Sequence, residues 1–181
     1  MKELSLHILD IAQNSVKANA SLIQISIEED TAADTLRITV ADNGCGMDKE
    51  LLQRVRDPFT TTRTTRKVGM GIPLMEMAAV GCDGSLDIQS QVGVGTTLCA
   101  VFGLSHIDRA PVGDMPGTMS VLVSGSPQID FVYTHTVDDM SFTFDTREIR
   151  TILEGIPLDT PEVANWIQAY VQEGLDSLQT T

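Results

Sequence analysis

Basic residues are scarce in this sequence. Its 181 residues hold 12 Lys and Arg against 25 Asp and Glu, a formal net charge of −13 at pH 7. A chain this acidic repels polyanions, which argues against a general nucleic-acid or membrane-surface binder; the acidity serves solubility. No apolar run approaches the roughly 18 residues of a membrane span. The opening M-K-E-L-S-L-H lacks the basic-then-apolar pattern of a secretion signal. Cysteine is sparse as well: Cys45, Cys82 and Cys99 are an odd number with no C-x-x-C spacing. That excludes a disulfide framework and a zinc site, and it points to reduced thiols in a cytoplasmic protein. The length allows one domain, or one domain with a small appendage, and is enough to bury a core.

What is present begins with a helix over about Leu4 to Ala20. Leu4, Ile8, Ile11, Ala12 and Val16 form its apolar stripe. His7, Asp10, Asn14 and Lys17, at i, i+3, i+7 and i+10, form a polar stripe on another side. Such a stripe is ordinarily a solvated face. It also has the spacing of a row that can meet a metal–triphosphate. Asn14 offers an amide oxygen to a hard cation such as Mg²⁺. Asp10, one turn earlier, can orient a water or act as general base. Lys17, one turn later, can pair with phosphate oxygens. His7 lies furthest out and reads as a surface histidine. Two alternating runs follow, Ser21 to Glu28 and Leu36 to Ala41, joined by a polar turn; they predict an antiparallel hairpin.

The second strand runs into A-D-N-G-C-G-M, Ala41 to Met47. Alone, D-N-G is a strong hairpin-turn signal. The stretch also has the makings of a slot. A strand holds Asp42 rigidly, and Gly44 and Gly46 let a flat ligand approach without Cβ atoms in the way. A carboxylate there only accepts hydrogen bonds, which suits a ligand with an exocyclic amine such as adenine. Met47 closes the stretch.

Asp48 reads as the N-cap of a short helix to Arg56, ended by Pro58. Then comes D-P-F-T-T-T-R-T-T-R-K-V-G-M-G, threonine-rich and without a period. Arg63, Arg66 and Lys67 make it a local positive patch in an acidic chain. A connection this long is usually functional or disordered. Gly69 and Gly71 bracket Met70 just ahead of a helix with Pro73 in its first turn, a place where free N–H groups and the helix dipole favour an anion. Ser85 to Ser90 and Thr96 to Phe102 predict two further strands around Q-V-G-V-G-T-T.

Four blocks thus stand in order: a helix with Asn14, D-N-G-C-G, G-M-G and G-V-G-T-T. Over about residues 5–104 this ordered set resembles the GHKL, or Bergerat, ATP-binding domain shared by DNA gyrase B, the ninety-kilodalton heat-shock chaperones, histidine kinases and MutL. The resemblance implies that Asn14 binds Mg²⁺ and that Asp42 receives the adenine amine. Gly44 and Gly46 would shape the purine slot, with Met47 beside it. Gly69 and Gly71 would be hinge and phosphate-contacting glycines of a lid, and Thr96 would lie near adenine. Phe59 resembles the phenylalanine block ahead of the lid in histidine kinases. Lys17 matches the N-A-x-K pattern of that branch, whereas A-N-A-S-L-I-Q-I resembles MutL. Asp10 stands where gyrase, MutL and anti-sigma kinases usually carry Glu. It is one methylene shorter, which counts against efficient direct hydrolysis. No helix pair with a phosphoacceptor histidine precedes Asn14, so any acceptor is expected on another chain.

After Ser105 to Gly117, which reads as a linker, Thr118 to Ser124, Ile129 to His135 and Met140 to Phe144 predict strands. Thr146 to Gly155 and Pro161 to Leu178 predict helices. His106, His135 and Asp138 match no metal spacing. The expected fold is α+β, a two-layer sandwich of a mostly antiparallel mixed sheet with helices on one face. Residues 1–104 are expected to form the ATP-binding domain and 105–181 an α+β extension that enlarges or covers the sheet or docks a partner. The expected function is ATP·Mg²⁺ binding with phosphate transfer to a separate protein. Two alternatives stand beside it: a nucleotide-gated binding module with little turnover, and a slow ATPase. Asp42→Asn sets an amide donor against the adenine amine, so ATP affinity should fall by about 1–3 kcal/mol; unchanged binding by calorimetry would remove Asp42 from the site.

Overall fold

Helix α1, Leu4–Lys17, starts without a side-chain cap. Its first N–H groups are satisfied instead by a later stretch of chain: Leu4 N donates to Pro111 O (2.9 Å) and Ser5 N to Val112 O (2.7 Å). The helix ends three residues earlier than its apolar spacing suggests, because Asn19 turns left-handed at φ 61°. The computed structural model describes residues 3–57 and 70–179.

Strands β1 (Leu22–Asp30) and β2 (Thr35–Asp42) pair antiparallel as the alternation predicts. Beyond them lie α2 (Lys49–Val55), α3 (Gly71–Val80), β3 (Ser85–Gln91), β4 (Gly95–Gly103) and α4 (Met115–Gly125). The chain continues through β5 (Asp130–Val137), β6 (Met140–Asp145), α5 (Thr146–Leu153) and α6 (Pro161–Gln179). The strands form one six-stranded sheet in the order β3-β4-β2-β1-β5-β6. The β1–β5 pair is parallel and the other four pairs are antiparallel. The expected α+β sandwich is the observed one. Ile23, Ile25, Ile27, Ile38, Phe102, Phe131 and Phe144 are buried under the helices. Gln24, Ser26, Thr39 and Thr134, on the alternate positions, stay exposed or half-buried on the other sheet face.

The parallel seam carries a buried polar chain. The Tyr133 hydroxyl meets His135 Nδ1 at 2.8 Å, and His135 Nε2 meets Glu29 Oε2 at 2.6 Å. Burial and the Glu29 charge push the Tyr133 hydroxyl well above its ordinary pKa, so it stays a donor. A satisfied chain of this kind fixes one register between two strands far apart in sequence.

Two expectations need correction. Thr118 to Ser124 is not a strand; it lies within α4. Its β-branched and apolar residues suit either structure, but Asp114 caps the helix by accepting from Gly117 N (2.8 Å), and Pro116 fits the first turn. Met115, Met119, Leu122 and Val123 are buried, and Ser120 Oγ donates to Ala164 O on α6, so the run is covered by neighbouring helices. The linker reading of Ser105 to Gly117 is shortened accordingly at its last residues.

His7 is not a surface residue either. It is only 4 % exposed, and its Nδ1 has no hydrogen-bond partner among the described residues. Burial lowers its pKa from the ordinary 6.5. Between the folded and unfolded values the unfolded chain holds more protons, so stability rises with pH across that window. Thermal melts should lose stability as the pH is lowered from neutral through and below 6.5. His7→Gln should flatten that part of the profile; an unchanged slope would show that His7 is not the group responsible.

Candidate functional site

A polar side chain within an apolar stripe needs a partner. Ser15 continues the stripe of Ile8, Ile11 and Ala12 on α1, is 4 % exposed, and places its Oγ 2.5 Å from Asp42 Oδ2. Asp42 is the last residue of β2, and its Oδ1 accepts from Gly44 N at 2.9 Å. A carboxylate has about four lone-pair sites; the two donors among the described residues leave it room for a further one.

The loop after Asp42 is pinned on both sides. Asn43 Oδ1 accepts from Ser21 N and Leu22 N, and Cys45 N donates to Ala18 O. A Cβ on Gly44 would lie 2.8 Å from Ala18 Cβ and O. Gly46 has φ 74°, and a Cβ there would run into the Gln91 carbonyl. Both glycines are therefore required by close backbone approach. On the far side, Ser90 Oγ accepts from Met47 N (2.8 Å) and bonds Thr96 Oγ1 (2.7 Å), joining the loop to β4.

These elements enclose a cavity of about 290 Å³. Helix α1 supplies Ile11, Asn14, Ser15 and Lys17 to its wall, and Ala18 joins them just past the helix end. Asp42 and Thr96 stand at paired ends of β2 and β4, with Val40 and Leu98 behind them. Cys45, Gly46, Met47, Leu51 and Val55 form the opposite wall, and Ile72 contributes from α3. Arg56 braces that wall, donating to Glu76 on α3 and to Leu86 O on β3. The interior is apolar around a single carboxylate, an arrangement suited to a flat ring bearing an amine donor.

Of the residues singled out in the sequence, Asn14, Lys17, Asp42, Gly46, Met47 and Thr96 line this one cavity, and Gly44 borders it. Asn14 Nδ2 is buried without a hydrogen-bond partner among the described residues. An amide offers a donor and an acceptor on one pivot. Such an orphan at a cavity wall fits a bound anion, or the oxygen-liganded shell of a metal ion, better than it fits an empty fold. Asp10 does not line the cavity. It is exposed on α1 where the start of α3 crosses: a Cβ on Gly71 would lie 2.9 Å from Asp10 Cβ. Phe59, Arg63, Arg66, Lys67 and Gly69 lie outside the described residues. Among these no group of His, Cys, Asp and Glu could hold a metal ion by itself, and no helix is long and apolar enough to cross a membrane.

The family model for histidine kinase-, DNA gyrase B- and HSP90-like ATPases matches residues 2–106. The chain belongs to this family. The chain is 35% identical over 105 residues to the sensor protein kinase FleS of Pseudomonas aeruginosa, covering 58% of this chain and 25% of that protein. It is 29% identical over 99 residues to the signal transduction histidine-protein kinase AtoS of Escherichia coli, covering 54% of this chain and 16% of that one. The chain therefore spans a quarter or less of the length of these curated relatives. Among solved structures, the N-terminal domain of a DNA repair protein shares the fold, with TM-score 0.52 and 14% identity over 80% of this chain and 52% of that one.

Sequence reasoning missed Ser15 and Ser90. Ser15 was detectable as a hydroxyl on the apolar stripe; Ser90 was not, because its role exists only once β3 and β4 pair. Ser15→Ala removes the one side-chain donor to Asp42 Oδ2 among the described residues. It should cost about 1.5–3 kcal/mol of stability in urea unfolding, the range for a hydrogen bond to a charged group. A variant as stable as the parent would show that water replaces the hydroxyl at no cost.

Proposed function

We propose that the cavity binds ATP·Mg²⁺ and that the chain is a kinase-like module passing phosphate to a separate protein in the cytoplasm. The single observation that carries the nucleotide reading is that Asn14 on α1 and Asp42 at the end of β2, 28 residues apart in sequence, line one cavity. In this reading the adenine amine donates to Asp42, whose position Ser15 and Gly44 N–H hold fixed. Gly44 and Gly46 admit the purine edge, Met47 packs beside the ring, and Thr96 meets it from β4. A volume of about 290 Å³ lies just below the usual range of about 300–1,000 Å³ for ligand sites, so in this reading the phosphates emerge at the mouth.

Asn14 would hold the magnesium ion, which when bound neutralises phosphate charge. Lys17 stands one turn further along α1 and pairs with phosphate oxygens. Arg63, Arg66 and Lys67, with Gly69 and Gly71 as hinges, supply the remaining positive charge that a lid needs in an acidic chain. Asp10 positions the acceptor hydroxyl, imidazole or water. Catalysis on this plan is positioning and charge neutralisation. Residues 1–104 do this work, and 105–181 face the partner. The kinase relatives support a protein acceptor over bulk water.

A second reading is a nucleotide-gated binding module. It is favoured by the position of Asp10, which does not line the cavity. Labelled ATP·Mg²⁺ separates the two when the full chain is mixed with candidate receiver proteins. Label on a receiver, abolished by Asn14→Ala, is the expected result. A complex that forms only with ATP and carries no label would replace the kinase by the module. Absence of ATP binding in calorimetry would remove both.

A further inference from the structure

Residues 105–181 hold three arginines and no lysine against twelve carboxylates. Every one of those arginines is committed within the chain. Arg109 donates to the carbonyls of Leu104 and Ala110. Arg147 makes a two-pronged pair with Asp145. Arg150 donates to Asp130 and to the carbonyls of Pro127 and Ile129. Meanwhile Glu148 on α5, Glu154 and Asp159 in the connection, and Glu162 at the start of α6 are exposed and make no ion pair among the described residues.

An apolar groove opens amid these acids. Leu153, Ile156, Thr160, Glu162, Val163 and Trp166 line it, with a volume of about 420 Å³. Ile152 beside it is 66 % exposed, Ile156 52 % and Trp166 38 %. Trp166 is held firmly: its ring stacks on Tyr170 with centroids 5.1 Å apart, and Tyr170 rests on Phe142 and Phe144. A fixed aromatic platform loses little side-chain freedom when something binds to it.

We propose that the groove between α5 and α6 docks a basic amphipathic helix of another protein. Apolar side chains one turn apart would fill the groove beside Trp166, and flanking lysines or arginines would meet Glu148, Glu154, Asp159 and Glu162. Helix-in-groove recognition divides its work in this way, with apolar anchors at the centre and charges steering and setting register at the rim. The same carboxylates repel nucleic acid and anionic membranes. A second copy of the chain would bring like charges together. None of the groove residues lines the cavity described above, so this inference stands or falls independently of the nucleotide reading.

Trp166 is the only tryptophan in the chain, so its fluorescence reports from the groove itself. The full chain, without nucleotide, is titrated with a synthetic leucine/lysine amphipathic peptide of about 18 residues, about five helical turns. A peptide of the same composition in scrambled order and a leucine/glutamate version serve as controls. The expected result is a saturable shift of Trp166 emission, at least about tenfold tighter for the amphipathic peptide than for either control. Ile156→Glu should weaken binding by about tenfold or more, with circular dichroism and melting temperature unchanged. Should that variant melt early, Ile152→Glu, at a still more exposed position, takes its place. Equal binding of the scrambled peptide, binding that leaves Trp166 emission unmoved, or no effect of either substitution overturns the proposal. So does self-association in sedimentation that Ile156→Glu abolishes, or a Trp166 shift on phosphatidylserine vesicles, since each assigns the groove to a different occupant.

Discussion

The contact between Asp42 and Ser15 ties the end of β2 to the last turn of α1. Neither residue would hold its place alone. A carboxylate at a strand end is free to swing into solvent, and a serine on an apolar stripe is a defect in the helix–sheet interface. Together they satisfy each other and fix the separation between the helix and the strand. The cavity wall, the Asn14 amide beside Ser15, and the glycine loop that follows Asp42 all take their positions from that separation. The loop is then held by backbone bonds: Cys45 N reaches Ala18 O, and Gly93 N reaches Cys45 O.

Charge is distributed along the chain in a way that matches two different tasks. The first 104 residues hold most of the lysines and arginines, among them Lys17 at the cavity and the three cations between Phe59 and Gly69. The charged residues of the remainder are mostly acidic, and its three arginines are engaged by partners within the chain. For the proposed nucleotide site, an acidic chain needs its few cations concentrated near the phosphates. Segregation of this kind also leaves a separate surface whose field favours basic partners, at distances within the screening length of about 8–10 Å in physiological salt.

Periodicity made most elements legible. The stripe of α1, the alternation of β1 and β2 and the capping signal at Asp48 each correspond to an observed element. The ordered set of short motifs led to the family, although any one of them is a common turn or loop. What stayed hidden depended on long-range packing. Thr118 to Ser124 is β-branched and apolar enough for a strand; the Asp114 cap is the local sign of a helix, and burial beneath α6 decides it. His7 lies on a polar stripe, yet it is buried, in a helix whose first N–H groups bond the carbonyls of Pro111 and Val112. The parallel pairing of β1 with β5 has no local signature at all.

That pairing has a consequence for how the molecule comes into being. Ile27 of β1 lies opposite His135 of β5, more than a hundred residues later. While the ribosome is still making the middle of the chain, β1 has one edge satisfied by β2 and the other bare. Bare strand edges invite pairing with other chains, and contacts so distant in sequence form slowly. The nascent protein thus passes through a vulnerable interval that closes only when β5 emerges. Glu28 and Glu29 on β1, with Asp30 at its end, carry like charge from one nascent copy to the next and disfavour mispairing during that interval.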